Sequence, residues 1–372
     1  MKKSILFSVL LVLSVLFTSQ AVVRTVSNDG FTPAQFTGLQ AAIDASNPGD
    51  TLYVHGSPSS YGDLTIGKRL VFVGNGVNQF DGTKRSILSN VYLYAGAAGD
   101  VDGTTFLGLD ISALAFCYSP QIGPGGFKIS NVSFIRSYVR ALNAYNPSEG
   151  GGASAVLLLQ CPQISSLNLN GFSSVIVQNS NFLGGAGIGG GSIEGSYIFN
   201  NCLFFGYVPY NYSGFNGLGN FNQLTSGLFQ NCIFAKWFFG TLAGCIFNKC
   251  LTYGCNNDNI SPTGAILTNC LIGQNPLFVL PPLDYVDGAF STDQQVFDPS
   301  FSNFNFQSGS PCINAGLDGK NLGPTGGSNP FNYLTQSAPQ IPRMKEVTVL
   351  SGQTLGTTGG TIQVQIKAKR QD

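Results

Sequence analysis

The chain has 372 residues, of which 18 are basic and 18 acidic, so its formal net charge is zero and only 10% of its residues are charged. That balance excludes the basic footprint needed to grip nucleic acid or an anionic membrane surface. The 48 glycines and 29 phenylalanines, with abundant Asn and Ser, describe a turn-rich all-β protein in which helix is minor.

The N-terminus reads Met1, Lys2, Lys3, then an apolar stretch over residues 5–17, then Thr18, Ser19, Gln20 and Ala21. A charged start, an apolar centre and a small-x-small end make the pattern of a secretory signal peptide. Residues 1–21 are therefore expected to be removed by cleavage after Ala21, leaving a protein that is secreted or held on the extracellular surface. The apolar run is shorter than the ~20 residues of a membrane-spanning helix, and no transmembrane segment is expected later in the chain. The first cysteine, Cys117, lies far from the leader, which excludes lipid attachment to a cysteine directly after it.

Residues 22–50 read as a short strand over 22–26 and an amphipathic helix over 33–45, with Phe36, Leu39, Gln40 and Ile43 at helical spacing. Gly49 and Asp50 stop that helix. It suits the end of a stack of strands, where open edges must be covered. Short β-prone runs follow at 51–54, 64–66 and 70–73, separated by Gly, Ser, Pro and Asn clusters.

An internal repeat organises the middle of the chain. Segment 175–182 aligns with 198–204, 228–234, 246–251 and 266–272, with a weaker copy at 129–134. Ser180, Cys202, Cys232, Cys250 and Cys270 share one position, at steps of 22, 30, 18 and 20 residues. Each step is one solenoid coil, and one coil carries about ten extra residues. Asn179, Asn201, Asn231 and Asn269 precede that position. They are expected to turn the chain from one sheet to the next, because Asn tolerates left-handed backbone, and to hydrogen-bond from coil to coil through stacked side chains. Cys202, Cys232, Cys250 and Cys270 are expected to stack as small apolar residues inside.

This Asn ladder with its cysteine stack resembles the pectate-lyase-like β-helix superfamily, over roughly residues 50–316. The resemblance implies a single right-handed parallel β-helix solenoid over residues 51–322, with the N-terminal helix as its cap. Ser310, Pro311, Cys312, Ile313, Asn314, Ala315 and Gly316 are similar to a segment that closes the last coils of many secreted bacterial β-helix repeat proteins. Residues 323–344, rich in Pro, Gly, Ser and Asn, read as a linker or extended cover. Residues 345–372 alternate at strand period and are expected to form a small C-terminal β-hairpin.

Nine cysteines leave at least one unpaired within a chain. Cys245 with Cys255 is the candidate disulfide. No zinc site is expected, since His55 is the sole histidine and coil-length steps are not metal-ligand spacing. Lyases of the resembled superfamily use carboxylates that hold calcium and an Arg or Lys that takes the proton beside a uronate, whereas its hydrolases use clustered acids. The hydrolase signatures Asn-Thr-Asp, Asp-Asp and Gly-His-Gly do not occur, nor do the lyase patterns Trp-Ile-Asp-His and Arg-x-Pro-x-x-Arg. Between residues 111 and 257 only Glu149 and Glu194 are acidic. Arg136 and Arg140 lack the proline of the lyase pattern, and a structural role is expected for them. Asp284, Asp287, Asp293, Asp298 and Asp318 supply oxygens of the kind that bind calcium, Asp284 and Asp287 being the foremost candidates. Their spacing fits no fixed calcium loop, and turn or cap use is expected. No other cofactor is implied.

The extra residues between Cys202 and Cys232 include Tyr207, Tyr210, Asn211 and Tyr212. Extra residues in a solenoid leave as a loop on one face. Rings flanked by amides suit a neutral sugar, whose apolar face stacks while amides bond its hydroxyls. Trp237, on the following coil, joins that set. The functional expectation is a secreted or cell-surface non-catalytic protein that recognises a glycan or surface partner. A polysaccharide lyase or glycoside hydrolase is the alternative, and a structural adhesin the third reading.

Overall fold

Short strands of successive coils pair in parallel and build two long sheets. The structure, a computed structural model, describes residues 21–77, 84–119, 123–124, 126–145, 152–190, 195–206, 220–222, 224–235, 237–240, 242–255, 265–280, 303–331, 343–349 and 364–369. The first sheet has 11 strands, from Val23–Val26 and Thr51–Val54 through Ser174–Gln178 and Ser196–Asn200 to Ile266–Thr268. The second has 12, from Leu64–Ile66 and Ile87–Leu93 through Asp110–Phe116 and Asn181–Gly189 to Leu251–Tyr253. Each coil gives a strand to one sheet and then to the other, so the architecture is the parallel β-helix that the repeat predicts.

Inward positions repeat from coil to coil, and phenylalanine dominates them. Phe72, Phe106 and Phe134 stack with centroids 5.1 and 5.2 Å apart. Phe199, Phe229 and Phe247 stack at 4.7 and 4.6 Å, and Phe182, Phe204 and Phe234 at 4.7 and 4.5 Å. These separations match the ~4.8 Å between neighbouring strands, so the backbone ladder itself sets offset ring stacking.

Between the sheets sits one left-handed residue per coil. Asn179, Asn201, Asn231 and Asn269 have φ of 49°, 52°, 53° and 51°, and Arg136, Gln160 and Lys249 take the same corner at 51°, 52° and 54°. The coil-to-coil bonds at this corner come from the backbone: Asn179 N–H donates to Asn200 O at 3.0 Å, Asn201 to Gln230 at 2.9 Å and Lys249 to Thr268 at 3.0 Å. The next residue points inward. Thiols of Cys202, Cys232, Cys250 and Cys270 donate to carbonyls of Val177, Phe199, Phe229 and Phe247 on the preceding coil, at 3.2–3.5 Å. Cys161 and Ser180 extend this stack towards the N-terminus.

At the N-terminal end the helix spans Leu39–Asp44, shorter than the predicted 33–45. The missing turn is spent on the free edge of the first sheet. Phe36 bridges Val26 in parallel, and the Gln35 side chain accepts from Thr25 N–H at 3.2 Å. Leu39, Ala42 and Ile43 are buried against the first coils. Gln40 covers the edge of the second sheet, its Oε1 accepting from Thr65 N–H at 2.9 Å while its Nε2 donates to Thr65 O at 3.1 Å.

Residues 303–331 form a strap along the flank of the later coils. It opens as Asn303–Phe306, antiparallel to Phe278–Leu280, and then climbs back towards the N-terminal end. Here the Asn side chains find their partners, on the strap and not on each other. Asn179 Nδ2 donates to Pro324 O at 2.8 Å and Gly326 O at 2.7 Å. Asn201 reaches Gly323 O at 3.3 Å, and Asn231 Oδ1 accepts from Leu317 N–H at 2.9 Å. Phe304, Cys312, Leu322 and Phe331 bury a second apolar cluster with Leu183, Leu203, Phe205, Ile233 and Leu251, which face outward from the second sheet. The Ser310–Gly316 motif therefore closes a side of the helix, with Ser310 Oγ donating to Pro276 O at 2.6 Å. Arg343–Val349 and Val364–Lys369 pair as an antiparallel hairpin. Among the described residues no helix is long and apolar enough to cross a membrane.

Candidate functional site

The earlier half of the second sheet has a different outer surface. Asp110, Tyr138 and Gln163 lie side by side at the start of its strands. Asp110 is 1% exposed, and a carboxylate so buried must be compensated. Arg140 supplies a two-pronged bond, Nε to Oδ1 at 3.1 Å and Nη2 to Oδ2 at 3.0 Å, and Arg85 Nη1 adds a contact at 3.4 Å. Arg85 also lies over the Tyr138 ring, 4.8 Å from its centroid. Arg136 occupies a corner and donates to Gln160 Oε1 at 2.9 Å, and burial lowers its pKa. Both arginines of the Arg-x-x-x-Arg spacing thus make structural contacts.

Further along the same strands, Tyr92 stands in register with Thr65 and Ala115, and Ala115 with Asn143. Cys117 follows with a φ of 56°, its buried thiol donating to Gly152 O at 3.2 Å. That bend ends the strand and carries Tyr118 out of the sheet to lie beside Tyr92, ring centroids 5.4 Å apart. Tyr145, just past Leu142–Ala144, continues the row at 4.9 Å from Tyr118 and is 41% exposed. The rings are tilted to one another by 38° and 34°. Among the described residues none of the three phenol hydroxyls makes a hydrogen bond, and the Asn143 amide is equally unengaged. Asn90 borders the row and donates twice to Asp63 Oδ1, at 3.1 and 2.9 Å. Burial, then the Asp63 carboxylate and the neighbouring tyrosines, raises the Tyr92 pKa, so its phenol stays a hydrogen-bond donor. A row of half-exposed rings beside an amide and a carboxylate can stack the apolar face of a sugar and bond its hydroxyls.

Of the candidates read from sequence, Tyr207, Tyr210, Asn211 and Tyr212 lie outside the described residues, as do Asp284, Asp287, Asp293 and Asp298. Trp237 corrects an expectation. It is fully buried, edge-on to Phe204 at 5.3 Å and Phe221 at 5.5 Å, and is core rather than a sugar platform. The Cys245–Cys255 disulfide is not formed, and all nine cysteines are free thiols. Cys245 enters the core just before Ile246–Asn248 of the first sheet and Cys255 just after Leu251–Tyr253 of the second, so two strands and a corner separate them. Asp318 accepts from Lys320 N–H in a turn. Among the described residues no group of three or more His, Cys, Asp or Glu could hold a metal ion.

Two signals pass unnoticed in the sequence. Tyr92, Tyr118 and Tyr145 recur at steps of 26 and 27 residues, a coil length. Asp110 falls one residue before the acid-poor stretch that begins at Ile111. No protein-family model matches the chain, and no curated protein matches its sequence.

Proposed function

We propose that this chain is an exported, non-catalytic β-helix protein of the pectate-lyase-like kind, which recognises a neutral glycan on the outer face of its second sheet. The observation that carries the reading is the row Tyr92, Tyr118 and Tyr145, partly exposed and with hydroxyls that make no hydrogen bond among the described residues. Rings set one per coil offer a linear platform, and linear chains of sugars are the ligands such a platform fits. Asp63 beside Tyr92 favours an uncharged sugar over a uronate, since like charges repel. The leader pattern of residues 1–21 supports export.

A glycan array with the purified protein tests the reading, repeated with Tyr92, Tyr118 and Tyr145 changed to Ala and followed by a product assay on every glycan bound. Binding without turnover that falls at least roughly tenfold in the triple variant is the expected result. Turnover of a bound glycan would make the protein an enzyme. Binding that survives the triple variant but is lost on changing Tyr207, Tyr210 and Tyr212 to Ala would move the site to the inserted segment.

A further inference from the structure

The buried carboxylate of Asp50 lies where a new chain terminus would be made. Asp50 is 1% exposed. Its Oδ2 accepts from Asn47 N–H at 2.9 Å and from Arg24 Nε at 3.3 Å. Among the described residues its Oδ1 has one donor, the backbone nitrogen of Val22, at 2.9 Å. Val22 is also the first residue after the small-x-small site Ser19, Gln20, Ala21, which the sequence marks for cleavage on independent grounds. Ala21, Val22 and Val23 are all exposed, so the bond between Ala21 and Val22 is open to a peptidase.

We propose that removal of the leader completes the N-terminal cap of the solenoid, by turning the Val22 donor into an α-ammonium ion paired with Asp50. This rests on the export reading. A leader peptidase adds water across the Ala21–Val22 bond; Ala21 leaves as a carboxylate and Val22 keeps the nitrogen, now protonated. In the precursor Asp50 Oδ1 receives a neutral peptide N–H. In the mature chain the same position holds a cation, and a charge-assisted bond to a buried carboxylate is about twice as strong as a neutral one. Val22 O already accepts from Thr51 N–H at 2.9 Å, and residues 23–26 pair with 51–54 along their whole length. The new ion pair therefore fastens the outermost strand of the first sheet at its free end, where fraying would begin.

The test compares a chain beginning at Val22 with a free amino group against the same chain Nα-acetylated, each also prepared with the substitution Asp50→Asn. Acetylation is expected to lower the thermal midpoint by about 2–4 °C in the parent chain and to leave the midpoint of the Asp50→Asn variant unmoved. Should Asp50→Asn fail to fold, NMR titration of the Val22 amino group replaces it, with a pKa raised above the usual ~7.7–8.0 expected. Equal midpoints, or an unshifted amino group, overturn the ion pair and leave export untouched. N-terminal sequencing of the protein recovered from the cells and from the medium separates the two ideas: a chain that keeps its leader overturns the export reading and this proposal with it, whereas a processed chain that starts elsewhere than at Val22 overturns this proposal alone.

Discussion

The second sheet carries two surfaces on one continuous ladder. In the later coils its outward positions are Leu203, Phe205, Ile233 and Leu251, and the strap buries all of them. In the earlier coils the corresponding face holds a compensated Asp110 and then the partly exposed tyrosine row. Backbone pairing is parallel throughout, so the difference lies wholly in side chains. Where they are aliphatic the chain supplies its own cover, and where they are aromatic and polar they stay partly exposed. Apolar area of the first kind must be hidden within the molecule, whereas isolated half-exposed rings beside amides are tolerated by water.

The halves should separate most sharply at high pH. Buried thiols concentrate in the later coils, and burial pushes Cys161 up to about 12, Cys245 to about 11 and Cys312 to about 12, with Cys232 and Cys250 raised as well. A raised folded-state pKa gives stability that is complete below the unfolded value of ~8.5 and is lost as pH rises towards the folded value. At pH 10 each of Cys161, Cys245 and Cys312 costs roughly 2 kcal/mol, so the later coils are expected to open first, well before pH 12. Hydrogen exchange against pH measures this, and simultaneous opening of residues 51–116 would refute it.

Leu322→Asp attacks the cover directly. Leu322 is 1% exposed in the apolar cluster under the strap. An unpaired carboxylate there is expected to release the strap at a cost of about 4–5 kcal/mol, read as a lower denaturation midpoint and rapid proteolysis after residue 303. Phe304→Ala leaves a cavity beside Phe205 and Phe278 and should cost about 3–4 kcal/mol by the same measurement.

How legible all this is in the sequence follows from what each residue contacts. The Asn corners are readable because Asn, unlike most residues, tolerates φ near +50°. Arg136, Gln160 and Lys249 carry no such mark, because their corner is imposed by backbone bonds to the next coil, such as Arg136 N–H to Leu159 O at 2.9 Å. The strap is invisible as a partner of Asn179, since the two meet across 145 residues of chain. Trp237 misleads because aromatic spacing near an insertion says nothing about which side of the coil the ring faces. The tyrosine row is periodic but lies outside the coils whose Asn and Cys make the repeat obvious.

Asn179 and Asn269 turn that lesson into a matched pair. Both have φ near +50°, but Asn179 is buried and bonded twice to the strap, whereas Asn269 is exposed at the end of the first sheet. Glycine preserves the backbone at either site. Asn179→Gly should cost about 2–3 kcal/mol, because two buried strap carbonyls lose their donor. Asn269→Gly is expected to stay within about 0.5 kcal/mol of the parent. Equal losses in denaturation experiments would mean that the strap contributes nothing at the corner.

The smallest effect is expected where the face is bare. Among the described residues Tyr145 touches the ring of Tyr118 alone, and its hydroxyl makes no hydrogen bond. Tyr145→Ala removes one tilted ring pair and no buried hydrogen bond, so stability should fall by no more than about 1 kcal/mol. A residue held for packing loses stability and binding together; a residue held for a ligand loses binding alone. Glycan affinity that drops at least roughly tenfold while the denaturation midpoint barely moves would assign Tyr145 to recognition. A large stability loss with little change in affinity would assign the row to the scaffold, and the early half of the sheet would then differ from the late half only in how it is covered.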